Sequence, residues 1–189
     1  MYRVNEIFYS LQGEGANTGT PAVFVRFSGC NLSCFFCDTD FTSYTEMSVE
    51  DIVSAVSAFP ARLVVLTGGE PSLQVDRKLV DALHAVNKYL AIETNGTRPL
   101  PEGIDFVTIS PKETGKIVLQ GADEVKVVYI GQDVERYTAW ISAPRYFLQP
   151  CCEVKNGVQT DNREEVIQYI LEHPHWRLSL QTHKILNIR

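Results

Sequence analysis

The sequence predicts an α/β fold in which a mostly parallel sheet forms an incomplete, partly open barrel with about six core strands and few helices. Strand-like apolar segments are numerous for a chain of 189 residues, and in the first half they alternate with amphipathic helices. The stretch 97–104, which contains Pro99 and Pro101, is too short and too proline-rich for an ordinary crossover helix. Since 44% of the residues are hydrophobic, we expect one domain over residues 1–189 with one main core.

The elements follow from hydrophobic period and from cap residues. Segments rich in Val, Ile, Phe and Tyr indicate strands. They lie at 5–10, 22–27, 63–66, 90–93, 106–109, 125–130, 146–148 and 177–180. Helical periodicity predicts helices at 49–59, 76–88 and 163–171, with a shorter one possible at 134–140. Ser48, with Asp51 three residues later, is a typical start for the first helix.

The charge balance limits the classes of partner. The chain carries 17 basic and 23 acidic residues and a formal charge of -6, which argues against general binding to nucleic acid or to anionic membranes and favours a small-molecule substrate. No apolar run approaches the roughly 20 residues that span a bilayer, and the first residues lack the apolar core of a signal peptide. We therefore expect a cytoplasmic protein.

Three of the five cysteines, Cys30, Cys34 and Cys37, fall within one short segment at the spacing CxxxCxxC. This spacing is typical of metal binding rather than of a disulfide framework. Thiolates are the ligands of iron-sulfur clusters, and a four-iron cluster normally takes four of them. Three cysteines would leave one iron open to a substrate or cofactor. The alternative is a structural zinc site, which needs a fourth ligand.

The other two cysteines, Cys151 and Cys152, are adjacent in the sequence. Neighbouring cysteines pair only with backbone strain, so we interpret both as thiols. With Asp38 and His183 they are the residues that could complete a zinc site.

Polar segments follow the predicted strands, as expected of an active-site edge. GCNLSCFFCDTD, TGGEP, ETNG, SPK and LQPCC each come after a strand, and in parallel α/β folds the carboxyl ends of the strands carry the active site. The cysteine loop, with Phe36 directly before Cys37, and the TGGEP segment beginning at Thr67 resemble the radical S-adenosylmethionine (SAM) superfamily. That resemblance implies a 4Fe-4S cluster and SAM, which together generate a 5'-deoxyadenosyl radical.

The rest of the chain resembles one family of that superfamily over nearly its whole length. NEIFYSLQGEG, CDT, ETNG, SPK and WRLSLQTHKILNIR are similar to the corresponding segments of the 7-carboxy-7-deazaguanine synthases. The resemblance implies a lyase that converts 6-carboxy-5,6,7,8-tetrahydropterin into 7-carboxy-7-deazaguanine with loss of ammonia, in queuosine-type 7-deazapurine biosynthesis. It also implies Mg²⁺, a homodimer, and a flavodoxin- or ferredoxin-type electron donor.

The same resemblance assigns residues to roles where the motifs match. Cys30, Cys34 and Cys37 would hold the cluster, and Thr39 would bind Mg²⁺. The SAM-binding residues would be Phe36, Cys37, Asp38, Gly69, Ser110, Pro111, Lys112, Gln149, Pro150, Cys151 and Cys152. The substrate-binding residues would be Leu11, Gln12, Gly13, Arg26, Thr67, His183 and Arg189. Four further residues are well placed but have no assigned role: Glu14, Glu70, Asn95 and Lys126.

Two other functions remain open from the sequence. One is a radical SAM activase that installs a glycyl radical on a partner protein, since such enzymes are also small and carry CxxxCxxC. The other is a zinc-stabilised binding module without catalysis. LQGEG, Arg26 and QTHK favour the pterin enzyme over the activase, and the zinc module predicts a colourless protein after anaerobic purification.

Overall fold

The computed structural model describes residues 1–37, 39–40, 42–155 and 158–189, with the side chains of 153–155 and 158–159 left undescribed. Asp38, one of the predicted SAM-binding residues, lies outside the described residues. The strands are β1 (Tyr2–Leu11), β2 (Pro21–Phe27), β3 (Thr45–Met47), β4 (Leu63–Gly68), β5 (Tyr89–Thr94), β6 (Phe106–Ile109), β7 (Glu124–Tyr129), β8 (Tyr146–Pro150), β9 (Cys152–Lys155), β10 (Val158–Asp161) and β11 (Trp176–Leu178).

Nine of these strands form one sheet in the order β11-β8-β7-β6-β5-β4-β2-β1-β3. From β2 through β11 every neighbouring pair is parallel, whereas β1 runs antiparallel to both β2 and β3. Within the described residues the sheet stays open, with β3 and β11 as its two edges. The predicted α/β fold, partly open and built on six central strands, is confirmed, and β11 extends those strands at one edge.

The helices are few, as predicted. They are α1 (Val49–Ser57), α2 (Arg77–Ala85), α3 (Glu135–Trp140), α4 (Arg163–Glu172) and α5 (Thr182–Leu186). The links from β5 to β6 and from β6 to β7 contain no helix, which agrees with the prediction for the proline-containing stretch. The predicted cap of α1 is present, because Ser48 accepts from the backbone N–H of Asp51 while Asp51 accepts from that of Ser48.

The two faces of the sheet carry different side chains. On the outer face, β2, β4 and β5 pack against α1 and α2, and a second apolar cluster joins β7 and β8 to α3 and α4. The inner face is apolar at the amino ends of the parallel strands, where Phe8, Phe24 and Val65 are buried. Because side chains alternate along a strand, Arg26 and Thr67 lie two residues further on, on the same inner face. On the inner face, the polar side chains therefore lie nearer the carboxyl ends of the strands than the apolar ones do.

Helix ends and short elements differ from the prediction. Helix α1 ends at Ser57, shortly before Pro60, because a proline disfavours helical backbone in the residue before it. Helix α2 ends at Ala85, and Asn87 then takes a left-handed conformation (φ 58°) that turns the chain into β5. Strands β3, β9 and β10 and helix α5 were not predicted. Within the described residues, no helix has both the length and the apolar character needed to cross a bilayer.

Candidate functional site

A cavity of about 530 Å³ opens at the carboxyl edge of the sheet. Nearly all residues that the sequence assigned to a site line it. These are Leu11, Gln12, Gly13, Arg26, Cys30, Cys34, Phe36, Cys37, Thr39, Thr67, Gly69, Ser110, Lys112, Gln149, Pro150, Cys151, Cys152, His183 and Arg189. Pro111 is buried and does not line the cavity, and Asp38 is outside the described residues. Segments far apart in the sequence therefore meet in one place.

The three clustered cysteines lie on the loop that follows β2. Cys30 and Cys34 are partly buried and Cys37 is exposed. The backbone N–H of Cys37 donates to the carbonyl of Cys34 at 3.2 Å, and that of Leu32 lies 3.4 Å from the Cys30 sulfur. Burial raises the pKa of the Cys30 and Cys34 thiols, and the nearby Cys37 contributes to both shifts. The three sulfurs therefore share one electrostatic environment.

The donor set suits a cluster better than a single ion. Among the described residues, no three His, Cys, Asp or Glu side chains converge as ligands of one metal ion. In an iron-sulfur cluster each thiolate binds a different iron, so the cysteines need not converge on one point. Three thiols on one loop, facing a cavity that also admits other groups, fit a four-iron cluster with one open iron.

Two glycines let the loop after β4 lie against the cysteine loop. Gly68 has φ 122°, and a Cβ there would stand 2.2 Å from the carbonyl oxygen of Phe27. A Cβ on Gly69 would stand 2.1 Å from the carbonyl oxygen of Gly29. The Gly69 N–H donates to Phe27 at 2.9 Å across this contact. Any side chain at either position would force the two loops apart.

Glu70 connects this glycine loop to the loop after β5. Its side chain is fully buried, and its carboxylate accepts from the Ser72 N–H at 3.0 Å, the Thr94 hydroxyl at 2.7 Å and the Asn95 N–H at 2.7 Å. The Asn95 side chain then donates to Asn31 of the cysteine loop at 3.0 Å. Glu70 and Asn95, which the sequence left without roles, hold three loops of the cavity together.

Lys112 places a partly buried amino group beside the cysteines. Its Nζ donates to the backbone carbonyl and to the hydroxyl of Ser110, at 2.8 and 2.7 Å. Burial lowers the pKa of Lys112, and the nearby Cys34 opposes that shift. This side of the cavity therefore places a lysine amino group next to the thiols.

A second set of charged side chains lines the cavity away from the cysteine loop, on β5, β7 and the loop after β1. Lys126 of β7 donates to the carboxylate of Glu14, and its Nζ also lies 3.2 Å from Oε1 of Glu93. Gln12 donates to the same Glu93 oxygen at 3.2 Å, and the Thr67 hydroxyl donates to the other at 3.0 Å. One buried ammonium thus holds two carboxylates that face the cavity.

The pKa values of this set follow from the pairing. Burial alone would raise the pKa of Glu14, but the charge and hydrogen bond of Lys126, together with a hydrogen bond from Gln181, lower it to about 2. Burial would lower the pKa of Lys126, yet the charges of Glu14 and Glu93 raise it above its usual value. Glu14 and Lys126 are therefore both charged at neutral pH.

The loop after β1 is held by residues near the end of the chain. The Gly13 carbonyl accepts from the backbone N–H and the hydroxyl of Thr182, at 3.0 and 2.8 Å. Gln181 donates to Glu14 at 2.9 Å. A Cβ on Gly13 would stand 2.2 Å from Nδ1 of His183, so this close approach requires glycine.

Arg26 stands at the β1–β2 side of the cavity. Its Nε donates to Oε1 of Glu6 at 2.9 Å, and Arg189 donates to the other oxygen of the same carboxylate. Both guanidiniums lie over the ring of Phe8, at 5.6 Å for Arg26 and 5.0 Å for Arg189. Two guanidiniums therefore share one carboxylate at this end.

Sequence reasoning missed several of these side chains. Glu6, Glu93 and Gln181 were in the quoted segments, but nothing local marked them as functional. Side chains alternate between the two faces along β5 and β7, and this alternation places Glu93 and Lys126 on the same inner face. That shared face is the signal from which their contact could have been predicted.

Comparison with known proteins agrees with the geometry. The model of the radical SAM superfamily matches residues 24–136. The chain is 55% identical over 189 residues to the 7-carboxy-7-deazaguanine synthase of Bacteroides thetaiotaomicron, with 100% of both chains covered. It is 45% identical to the protein of that name from Burkholderia multivorans, with 99% of each covered. The crystal structure of QueE from Escherichia coli superposes with a TM-score of 0.76 at 29% identity, covering 95% of this chain and 93% of that one.

Proposed function

From the premise that this chain belongs to the 7-carboxy-7-deazaguanine synthases of the radical SAM superfamily, we propose how its own residues serve the reaction. The enzyme is a lyase that converts 6-carboxy-5,6,7,8-tetrahydropterin into 7-carboxy-7-deazaguanine with loss of ammonia, a step of 7-deazapurine biosynthesis. Its cofactors are a 4Fe-4S cluster and SAM, which when bound supply a 5'-deoxyadenosyl radical. Substrate orientation and exclusion of water are left to the protein.

The proposed cofactor residues surround the cysteine loop. Cys30, Cys34 and Cys37 hold the cluster, and Gly69 lets SAM approach the backbone. The remaining proposed SAM residues are Phe36, Asp38, Ser110, Pro111, Lys112, Gln149, Pro150, Cys151 and Cys152. The amino group of Lys112 supports this, because it lines the cavity and can donate a hydrogen bond to the carboxylate that SAM carries.

The observation that carries the substrate proposal is a polar row at one level of the inner face. Arg26 is the register partner of Thr67, whose hydroxyl bonds to Glu93, which in turn contacts Lys126. A carboxylated pterin needs a cation at its carboxylate and hydrogen-bonding groups along its ring edge. Arg26 provides the first, and the carboxylate of Glu93 and its neighbours provide the second.

The remaining substrate contacts complete that row. Leu11, Gln12 and Gly13 offer backbone and amide groups from the loop after β1, and His183 and Arg189 approach from the end of the chain. Each of the five lines the cavity. With the substrate's carboxylate fixed, the hydrogen to be abstracted is fixed too, at the short distance that selects one bond among many.

The experiment is a product assay with 6-carboxytetrahydropterin under anaerobic, reducing conditions. We expect 7-carboxy-7-deazaguanine from the wild type. Arg26→Ala should weaken substrate binding and release 5'-deoxyadenosine without product. Arg62→Ala is the matched control, because Arg62 is exposed and does not line this cavity. Formation of a glycyl radical on a partner protein, with no deazapurine product, would overturn the assignment.

Mg²⁺ is proposed at Thr39, which lines the cavity. The neighbouring Asp40 is not proposed as a ligand, because its carboxylate already accepts three hydrogen bonds. The donors are the backbone N–H and hydroxyl of Thr42 and the hydroxyl of Ser43. One neutral hydroxyl binds Mg²⁺ weakly, so substrate and water oxygens would have to complete its shell. Thr39→Ala should lower turnover about tenfold or more, in the range of changes around a metal site, with the iron content intact. Unchanged Mg²⁺ dependence in that variant would remove Thr39 from the site.

The remaining assignments concern the surroundings of the enzyme. A flavodoxin- or ferredoxin-type donor is supported by the exposure of Cys37 and of Phe35, which bring the cluster loop to the surface. A homodimer is supported by family membership and by exposed apolar side chains such as Leu171, and a measured mass in solution tests it. We propose the cytoplasm as the location of the enzyme. We also propose one radical SAM domain over residues 1–189, which the nine-stranded sheet supports.

A further inference from the structure

The loop after β1 joins two strands that lie far apart in the sheet. Leu11, at the end of β1, pairs with Pro21, the first residue of β2, so the loop starts at the amino ends of the parallel strands. Four strands separate β1 from β7 in the sheet order. The backbone N–H of Ala16 nevertheless donates to Oε2 of Glu124, the first residue of β7, at 2.8 Å. The loop therefore spans from one side of the sheet to the other, and its residues 11–14 line the cavity.

Glu124 is a buried carboxylate to which the sequence assigned no role. Its other oxygen, Oε1, accepts from the hydroxyl of Thr108 on β6 at 2.9 Å, and this donor and the Ala16 N–H are both neutral. A Cβ on Gly15 would stand 2.3 Å from Oε1, so the loop backbone lies directly against the side chain. Burial raises the pKa of Glu124, although the Ala16 N–H and the charge of Lys126 oppose that shift. Glu124 therefore supplies the loop with a hydrogen-bond acceptor rather than with a charge.

The two preceding amides of the loop are held in the same way. The Gly15 N–H donates to the hydroxyl of Ser179 at 3.0 Å, and the Glu14 N–H donates to the side-chain oxygen of Gln12 at 3.1 Å. Three consecutive N–H groups thus donate to side chains instead of to a helix or a strand. Without the acceptor on Glu124, the third N–H would lose its partner, and the loop would occupy its binding position for only part of the time. The apparent affinity for a ligand of the loop falls by that same fraction.

We propose that Glu124 is a positioning residue for the pterin ring, acting through the loop after β1. By accepting from Ala16, it keeps Gln12 and Gly13 where they meet the edge of the ring. Glu124 itself is not among the residues that line the cavity. The proposal rests on the proposed contacts of this loop with the substrate. It implies that Glu124 controls the affinity for the ring, whereas Arg26 controls the affinity for the carboxylate.

The test uses two fluorescent aromatic analogues, 6-carboxypterin and pterin, of which the second lacks the carboxylate. Each is titrated into the enzyme loaded with cluster and SAM, and iron content and SAM affinity confirm that each variant is intact. Glu124→Met keeps the length of the side chain and removes the acceptor. It should weaken both pterins by the same factor of about ten, as expected if the loop is in position about one tenth of the time. Arg26→Ala should weaken only 6-carboxypterin.

Glu124→Gln is the conservative variant that should restore function. Its amide oxygen can accept from the Ala16 N–H, and its amide N–H can donate to the Thr108 hydroxyl, which is able to accept. Both pterins should therefore bind within about twofold of the wild-type affinity. Retained affinity would show that the loop needs the acceptor and not the charge.

Thr108→Val is the matched control for stability. It removes the other hydrogen bond of the same carboxylate and leaves the Ala16 contact in place. It should lower the denaturant midpoint, as Glu124→Met does, because each variant leaves one buried polar group without its partner. Both pterin affinities should nevertheless stay at the wild-type value in Thr108→Val.

Three outcomes would overturn the positioning role while leaving the proposed function intact. They are unchanged pterin affinity in Glu124→Met, a loss in Glu124→Gln as large as that in Glu124→Met, and an equal loss in Thr108→Val, which would reduce the effect to general destabilisation. If the wild type bound neither pterin, the proposed substrate site itself would fail, and this inference with it.

Discussion

Two walls of the cavity are built in different ways. The cluster wall comprises the described residues 28–37, 39–40, 68–71, 94–97 and 110–112. The pterin wall comprises 11–16, Glu93, Lys126, Gln149 and 179–189. Backbone contacts such as Gly69 N–H to Phe27, and one buried carboxylate, hold the cluster wall. The pterin wall is held by ion pairs and side-chain amides, with Gln181 reaching Glu14 across 167 positions of sequence.

The difference teaches where rigidity and charge are needed. A cluster and SAM bring their own reactivity, so the protein needs a close-fitting backbone there, and glycines provide it. A pterin must be recognised by its polar edge, so the opposite wall needs charged groups held at fixed positions. We expect substitutions in the cluster wall to remove the cofactors and substitutions in the pterin wall to cost folding stability.

The largest effect is expected at the cysteines. Ala at Cys30, Cys34 or Cys37 should abolish the cluster and all SAM cleavage, because each thiolate holds a different iron. Cys151→Ala and Cys152→Ala are the controls and should keep the cluster. Iron and sulfide analysis of the five variants measures this. A need for Cys151 or Cys152 in cluster assembly would contradict the three-ligand site.

In the pterin wall, Lys126→Met should cost folding stability. The substitution leaves the carboxylates of Glu14 and Glu93 facing each other without their shared cation, and breaking a buried pair of this kind costs about 3–5 kcal/mol in the free energy of unfolding. The exposed Lys116→Met is the control and should change stability by about 0.5 kcal/mol or less. Denaturant unfolding compares the two. A loss below about 1 kcal/mol would show that the charges do not hold this wall.

Glu70→Gln tests the one buried carboxylate of the cluster wall. The oxygens of Glu70 accept three hydrogen bonds, and the glutamine would point an N–H at one of those donors. We expect the free energy of unfolding to fall by about 1–3 kcal/mol. Weaker SAM binding should accompany the loss, because three loops share this residue. Glu102→Gln is a matched control, since the Glu102 side chain is 94% exposed. Unchanged SAM affinity would place Glu70 outside the cofactor wall.

Acid should weaken the pterin wall gradually. The pKa of Glu14 is lowered from 4.5 to about 2 by Lys126 and Gln181, against the opposing effect of burial. Its ionisation therefore stabilises the fold above pH 4.5, and that contribution is lost as the pH falls from 4.5 toward 2. The loss should be about 1 kcal/mol per pH unit, and it should be much smaller in Lys126→Met. Parallel slopes in wild type and variant would refute the coupling.

The sequence predicted the cluster wall better than the pterin wall. Cys30, Cys34 and Cys37 lie close together in sequence, and the glycines of TGGEP follow a strand that periodicity identifies, so local patterns suffice. The role of Glu93 depends on its contacts with side chains of other strands and loops, which local sequence patterns do not reveal. Arg189 was placed in the substrate site by resemblance, whereas its contact with Glu6 depends on how the chain returns to β1. Contacts between residues so far apart produce no local sequence pattern from which they could be predicted.

The short elements were missed for related reasons. Strand β3 has only three residues, Thr45–Met47, and forms because β1 offers it an edge. Helix α5 is five residues long and is fixed by the Thr182 contact with Gly13 rather than by an amphipathic pattern. Long periodic segments such as those of β2 and β4 were predicted correctly, because burial on both faces leaves a clear apolar run.

The hydrogen bonds between Gly13 and Thr182 also set an order of events during protein synthesis. A chain emerging from the ribosome folds its early segments first. The hydrogen bonds that join the cysteine loop to the loops after β4 and β5 involve residues from the first half of the chain, whereas Thr182, which holds Gly13, is among the last to be added. The residues that would hold the cluster therefore leave the ribosome before the residues that complete the pterin wall.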